Sequence, residues 1–286
     1  MARLAAMPWR MNIAQPIAKG TAPAAAGDCR LCGGALSPRF RARVLGRHDV
    51  GYFACAACGS LQTELPHWLG EAYASNLSDI DTGAAQRCFT NLGASQAVAR
   101  IFGFTDILDI GGGDGLHCRL LRDHGLNAHV HDAHATPSYG RGFDEPDFRV
   151  PDLVTCFEVL EHFANPAEEL ASVFGLGAEA VLATTERWHG EGADWWYLAP
   201  STGQHVFFYS DAAMRSIADR FGYRLIADGH YLLFVRPALA TGWKTAQARF
   251  WLRSRMPRLR AAWLQTRNPA GADADFARLL ARRPPA

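Results

Sequence analysis

The chain has 286 residues, of which 49% are hydrophobic and 20% charged, and its formal net charge is +1. Enough apolar surface is present to offset chain entropy, which excludes disorder throughout, and no run approaches the roughly 18 uninterrupted apolar residues of a spanning helix. The small net charge hides an asymmetry: from Pro237 onward ten Lys/Arg face only Asp273 and Asp275, whereas the preceding 236 residues carry 19 basic and 26 acidic side chains. An acidic body argues against nucleic-acid binding, and the basic tail needs its own explanation.

Residues 1–27 are rich in Ala and Pro, and Arg10, Asn12 and Lys19 leave no continuous apolar stretch of the kind an export signal needs. They read as a flexible lead-in to a cytoplasmic protein. Two pairs of thiols follow, Cys29-Arg-Leu-Cys32 and Cys55-Ala-Ala-Cys58, each succeeded by glycine and separated by 22 residues. Two thiolates three positions apart on a tight turn can face one ion, and a second such turn closes a tetrahedral four-thiolate shell. Between them, Phe40 to Val44 and Val50 to Ala54 predict a β-hairpin across Gly46-Arg47-His48. Residues 28–65 therefore read as a zinc-ribbon-like module in which structural Zn2+ supplies the folding energy. Two disulfides, which suit an exported chain, or four unrelated buried thiols are the alternatives. Cys88, Cys118 and Cys156 read as ordinary buried thiols.

Residues 66–94 read as a helical connector, and the nucleotide-binding pattern begins beyond it. Ile107 to Ile110 predicts a short apolar strand that runs into Gly111-Gly-Gly-Asp-Gly115, with a helix from Leu116 to about His124 stopped by Gly125. Glycines there let the backbone approach a nucleoside, while the helix N-terminus offers unpaired N–H groups. Leu116 stands where the dinucleotide fingerprint needs its third glycine, which disfavours a nicotinamide enzyme. Asn127 to His131 predicts the second strand, closed by Asp132, an acid placed to accept hydrogen bonds from a ribose. Pro151 to His162 reads as a buried strand with a polar end. A helix opening at Asn165-Pro166, a strand Ala180 to Ala183, a helix Asp211 to Phe221 capped by Ser210, and strands Tyr223 to Ile226 and Tyr231 to Val235 complete the alternation. Such an order means an α/β fold, a Rossmann-like sheet with helices on both faces and ligands at the strands' carboxyl ends.

These motifs resemble those of the class I S-adenosylmethionine-dependent methyltransferases. LDIGGGDG looks like their first motif, Asp132 like their ribose acid, and DLVTCFEVLEHFANP like the segment after the fourth strand in the ubiquinone-biosynthesis type. The resemblance covers residues 95–236 and implies a seven-stranded sheet whose last strand is antiparallel, with residues 66–94 as a lid over the cofactor. It implies S-adenosyl-L-methionine as cofactor, with Asp109, Gly111, Gly113 and Gly115 lining its methionine and ribose side, Asp132 on the ribose, and Phe157 and Glu158 beside it. Only 19 residues separate Asp132 from Asp152, where the family fits a helix and a strand. An acid for the adenine is therefore hard to place: Asp144, Glu145 or neither fills that role, and Phe143 is a candidate to stack on the ring.

The four-cysteine module ahead of this fold is similar to that of bacterial C-methyltransferases of nucleotide-sugar biosynthesis. Their catalytic histidine corresponds to His205 in Ser201-Thr-Gly-Gln-His-Val-Phe-Phe-Tyr209, with Thr202 where they carry tyrosine. His205 reads as the general base, since methyl transfer to oxygen or carbon needs one, or as a core histidine satisfied by a backbone carbonyl. Glu161 and His162 read as a pair holding a loop. Trp195 and Trp196 form either an apolar wall for a sugar face or ordinary packing. Arg87 reads as a solvated arginine or as a partner for the methionine carboxylate. The acceptor is a small molecule, a sugar, nucleotide sugar or glycan precursor by resemblance; the alternative is a non-catalytic cofactor-binding scaffold. Residues 237–286 form a basic amphipathic extension that suits the body's own acidic surface, an acidic protein partner or an anionic membrane surface.

Overall fold

A computed structural model describes residues 27–74, 81–267 and 271–281; all but the last residue of the lead-in lies outside the described residues. The chain divides into two compact units, each assembled from segments distant in sequence. One takes the described residues before Ser78 together with Glu158–Leu176 and Thr184–Leu225, and the other takes the rest.

In the first unit, β1 (Leu36–Val44) and β2 (His48–Cys55) pair antiparallel from Leu36↔Cys55 to Val44↔His48. Leu45 and Gly46 close the hairpin with positive φ, the twist that a tight connection requires. Register slips between Pro38 and Phe40, where proline has no N–H to give to the ladder. The sheet continues through β3 (Leu61–Thr63), placed after helix-free residues 56–60, and ends on a distant strand, β8 (Phe207–Phe208), in the order β1-β2-β3-β8. Val44, Val50, Tyr52, Leu61, Trp68, Tyr197 and Phe208 pack its core, with the short helix α1 (Leu69–Ala72) beside them. Helix α4 (Pro166–Gly175) starts with proline in its first turn, where no N–H is needed. Helix α5 (Asp211–Phe221) is capped as its sequence predicts: Ser210 accepts from the Ala213 N–H, and Gly222 ends the helix in the left-handed region.

The second unit holds a sheet in the order β5-β4-β6-β7-β10-β9. Its strands are β4 (Asp106–Ile110), β5 (Asn127–His131), β6 (Leu153–Phe157), β7 (Ala180–Thr184), β9 (Arg224–Asp228) and β10 (Tyr231–Val235). β4 runs parallel to both β5 and β6. β9 and β10 are neighbours joined by Gly229-His230 alone, a connection only an antiparallel pair can make. Helices α2 (Ala84–Phe102) and α3 (Leu116–Asp123) complete its core with Ile107, Val130, Leu153, Leu182 and Leu233.

The expected seven strands are six among the described residues, because the segment between Asp132 and Asp152 forms no strand. Its prolines and glycines fold back on the sheet edge instead, and the Val130 N–H donates to the Phe143 carbonyl. That contact satisfies an edge donor that a further strand would have paired. Phe143 is buried with the Arg122 guanidinium 3.6 Å over its ring, so it is a core residue and cannot stack on a nucleobase. Asp144 and Glu145 are exposed. The C-terminal helices α6 (Gly242–Leu252), α7 (Met256–Gln265) and α8 (Gly271–Ala281) follow. Gly93 of α2 admits the Pro257 carbonyl so closely that a Cβ there would meet its oxygen at 1.9 Å. No helix among the described residues is long and apolar enough to cross a membrane.

Candidate active site

The glycine turn after β4 is built by three backbone conformations. Gly111, Gly113 and Gly115 all have positive φ, which L side chains rarely adopt. The Gly111 N–H donates to the His131 carbonyl, tying the turn to the end of β5. Open space lies over Gly113, and its N–H donates to Asp132 Oδ2 at 2.9 Å. Asp132 Oδ1 accepts from the His134 and Ala135 N–H groups. The half-buried carboxylate keeps lone pairs beyond these three bonds, so an open turn with an acceptor at its rim fits a ribose and its attached methionine.

Two expected lining residues lie behind the turn. Gly115 is buried, and a Cβ there would meet the Gly140 nitrogen at 2.7 Å, so its role is close backbone packing. Asp109 is buried too: Oδ1 accepts from the Thr155 hydroxyl at 2.7 Å, and Oδ2 has no hydrogen-bond partner. Burial pushes its carboxyl up to about 7, opposed by the Thr155 bond and reinforced by the Asp132 charge. Gly112, which the motif alone does not single out, leaves room for that carboxylate; a Cβ would meet Oδ2 at 2.4 Å. Phe157 at the end of β6 is half-buried against His117 and Tyr231, both edge-on. Arg87 pairs with Asp81 at 2.5 Å.

A second cluster belongs wholly to the other unit. The Val206 N–H donates to the Glu161 carbonyl and the Tyr209 hydroxyl to the Leu160 carbonyl, which pins the turn at Leu160–His162 to the strand segment carrying His205. Tyr197 is the hub: its hydroxyl lies 2.7 Å from Glu161 Oε1 and 3.0 Å from Glu158 Oε2. Glu158 holds a positive φ, stabilised by its N–H donating to Thr184. Glu161 is fully buried, and burial, then the Glu158 charge, raises its carboxyl well above the usual range.

The His205 Nδ1–H donates to the Tyr197 carbonyl at 2.6 Å, and Nε2 lies 3.9 Å from Glu161 Oε1. Burial lowers the imidazole below its ordinary value, with the Tyr197 carbonyl opposing. His162 stands beside it, ring centroids 5.0 Å apart, with Nδ1 on the Tyr73 hydroxyl. Glu161 and His162 thus line the His205 cluster and do more than hold a loop. Thr202, in the tyrosine's place, spends its hydroxyl on the Ala199 carbonyl. Trp195 packs into the core, whereas Trp196 is 73% exposed. Tyr197 and Tyr73 escaped sequence reasoning; the signal available was the polar pair Glu161-His162 set between Leu160 and Phe163.

The four Sγ atoms of Cys29, Cys32, Cys55 and Cys58 lie within 4.8 Å of one another, with Cys29–Cys58 at 3.7 Å and Cys32–Cys55 at 3.5 Å. Tetrahedral zinc with bonds of about 2.3 Å sets thiolates about 3.8 Å apart, so the donor set fits that ion. No sulfur–sulfur bond joins the four, and their spacing is that of metal ligands. Arg30, inside the first pair, donates to the carbonyls of Ala164, Thr63 and Val206. One buried guanidinium thereby ties the cysteine module to the residues flanking both His162 and His205.

A family model described as a methyltransferase domain matches residues 83–228, just over half the chain. Among solved structures, the chain is similar to magnesium protoporphyrin IX methyltransferase from Synechocystis PCC 6803 with bound SAH (15% identity, TM-score 0.39, covering 59% of this chain and 92% of that one). It is also similar to an O-methyltransferase family protein from Burkholderia thailandensis (17%, 0.43, 59% and 67%). A third is N,N-8-amino-8-demethyl-D-riboflavin dimethyltransferase from Streptomyces davawensis (15%, 0.37, 51% and 52%). No curated protein matches the chain. With its glycine turn, parallel sheet and matching family model, the chain belongs to the methyltransferase-domain family, as a class I S-adenosylmethionine-dependent enzyme carrying a zinc-ribbon-like four-cysteine module.

Proposed function

We propose that the enzyme methylates a hydroxyl of a sugar, nucleotide sugar or glycan precursor, with His205 as the general base. The observation that carries this reading is the tautomer fixed at His205. Because Nδ1–H is committed to the Tyr197 carbonyl, the lone pair resides on Nε2, and burial keeps the ring neutral. Gly111, Gly113, Asp132 and Phe157 would hold S-adenosyl-L-methionine, which when bound supplies an electrophilic methyl group on sulfur. Nε2 takes the acceptor hydroxyl's proton as the oxygen gains its methyl, and the Glu158 charge offsets the imidazolium that results. The exposed indole of Trp196 offers an apolar platform for a sugar face. Zn2+ at Cys29, Cys32, Cys55 and Cys58 is structural, since four thiolates leave no open position. Seven free thiols suit the reducing cytoplasm.

The test incubates the protein with methyl-labelled S-adenosylmethionine and a panel of sugars, nucleotide sugars and quinols. Label is expected in a sugar hydroxyl, and His205→Ala is expected to lower turnover roughly 10²–10⁴-fold while cofactor affinity stays unchanged. The wild-type rate should rise with pH through a midpoint below the ordinary imidazole value of 6.5. Label in quinols alone would reject the sugar, and no label with intact cofactor binding would select the scaffold. One observation favours a second reading: Glu161 Oε2 is buried without a hydrogen-bond partner, and ligand atoms of Glu161, His162 and His205 lie within 4.8 Å. A divalent cation there would replace the base, and turnover that depends on added Mg2+ or Mn2+ while the four-thiolate zinc stays bound would select it.

A further inference from the structure

The basic C-terminal extension has two kinds of helix. α8 is bound to its own unit by charge: Asp275 pairs with Arg119 and Arg122 at 2.7 and 2.6 Å, and Arg278 pairs with Asp147. α6 and α7 dock on α2 through buried Ala248, Leu252, Ala261 and Leu264. Arg260 donates to Gln96 of α2 and Lys244 lies over the Phe102 ring, whereas Arg249, Arg253, Arg255 and Arg258 are left outside that contact.

At 100° per residue, the buried stripe of α6 (Thr245, Ala248, Leu252) places Trp243 and Phe250 on the opposite ridge, with Lys244 and Arg249 to either side. On α7, buried Pro257, Ala261 and Leu264 turn Leu259 and Trp263 outward, beside Arg255 and Arg258. Trp243, Phe250, Leu259 and Trp263 are 60%, 55%, 59% and 43% exposed. Single exposed apolar residues are ordinary, but four on the outward ridges of consecutive helices need an explanation. Charge supplies it. No Asp or Glu occurs between Asp228 and Asp273, so these helices lack the mixed signs of a solvated surface. Arg249, Arg253, Arg255 and Arg258 enter no ion pair among the described residues. A groove beside the ridge sets Arg100 and Arg260 together with Gln247 and Trp251, again without a carboxylate.

We infer that the outward ridge of α6 and α7 docks on an anionic lipid bilayer, its tryptophans, Phe250 and Leu259 entering the interface while the flanking arginines meet lipid phosphates and carboxylates. Tryptophan and arginine together suit that boundary, one presenting an amphipathic ring and the other a charge on an apolar stem. An acidic protein would account for the arginines but needs a pocket shaped to each of four exposed apolar side chains. A bilayer needs none.

Full-length protein should co-sediment with phosphatidylcholine vesicles containing 30% phosphatidylserine and ignore pure phosphatidylcholine, with tryptophan emission shifting to the blue. Arg253→Glu/Arg258→Glu should weaken binding by about fivefold or more per position, the worth of one basic residue near such a surface. Trp243→Ser/Trp263→Ser should weaken it at least tenfold without altering S-adenosylmethionine affinity or thermal stability, because both rings lie outside the packed face. High salt should release the wild type. Vesicle binding untouched by either double variant would overturn the inference. So would binding to a single-stranded RNA or an acidic protein with no adsorption to anionic vesicles.

Discussion

Asp109 concentrates the electrostatic cost of the glycine turn in one carboxyl. Its folded-state value lies above the ordinary 3.8, at about 7, so the native state binds its proton more tightly than the unfolded chain does. Such a group stabilises the fold fully below the unfolded value, and that contribution is lost as pH rises through about 7. Asp109→Asn keeps an acceptor for the Thr155 hydroxyl and has no charge to bury. Its melting temperature relative to wild type should therefore climb between pH 4 and 7 and level off above; a difference independent of pH would mean that the carboxyl ionises freely. At this scale the sequence made Asp132 and His205 visible, because a motif spacing or a residue type marks them. Glu161 and Tyr197 were not visible in the same way. Their importance comes from a shared hydrogen bond at 2.7 Å in a buried pocket, and no periodicity of the chain records which side chains meet there. Asp109 shows the converse: the motif located it, while only the packing of Gly112 over its carboxylate shows that it lies beneath the turn.

Elements that depend on local pattern were legible. The hairpin, the Ser210 cap, the Gly222 stop and the strands at 106–110 and 127–131 follow from turn glycines, capping chemistry and short apolar runs. The short interval after Asp132 announced that an element was missing, though not that Phe143 would plug the core there. What stayed hidden is non-local: β8 pairs with β3 across more than 140 residues, and Arg30 reaches the carbonyls of Ala164 and Val206. That tie makes the cysteine module a support for the His205 segment. Purified protein should contain one zinc per chain, and Cys32→Ser or Cys58→Ser should lose it together with solubility. Arg30→Ala should retain zinc and cofactor affinity yet depress turnover, since it releases the segment next to His205. Zinc retained at full occupancy after removal of a whole CxxC pair would refute the four-thiolate site, and Arg30→Ala turnover equal to wild type would refute the support.

On the scale of the whole molecule, the chain alternates between its two units, leaving one after Phe157 and returning at Gly177 and Ile226. A reading along the sequence finds the ordered motifs of the methyltransferase sheet but not this interleaving, which is decided by contacts between segments far apart. The tail separates likewise by contact: α8 pairs its charges within its unit, while α6 and α7 leave Arg249, Arg253, Arg255 and Arg258 exposed. The proposed catalysis rests on the glycine turn and Asp132 holding S-adenosylmethionine, and calorimetric titration of that cofactor into the purified chain tests this proposal most directly. One molecule should bind per chain. Asp132→Ala should weaken binding by about 1.5–3 kcal/mol, the range for hydrogen bonds to a charged partner, and Gly113→Val should abolish it by closing the open side of the turn. Affinity unchanged in both variants, or no binding to the wild type, would contradict the assignment.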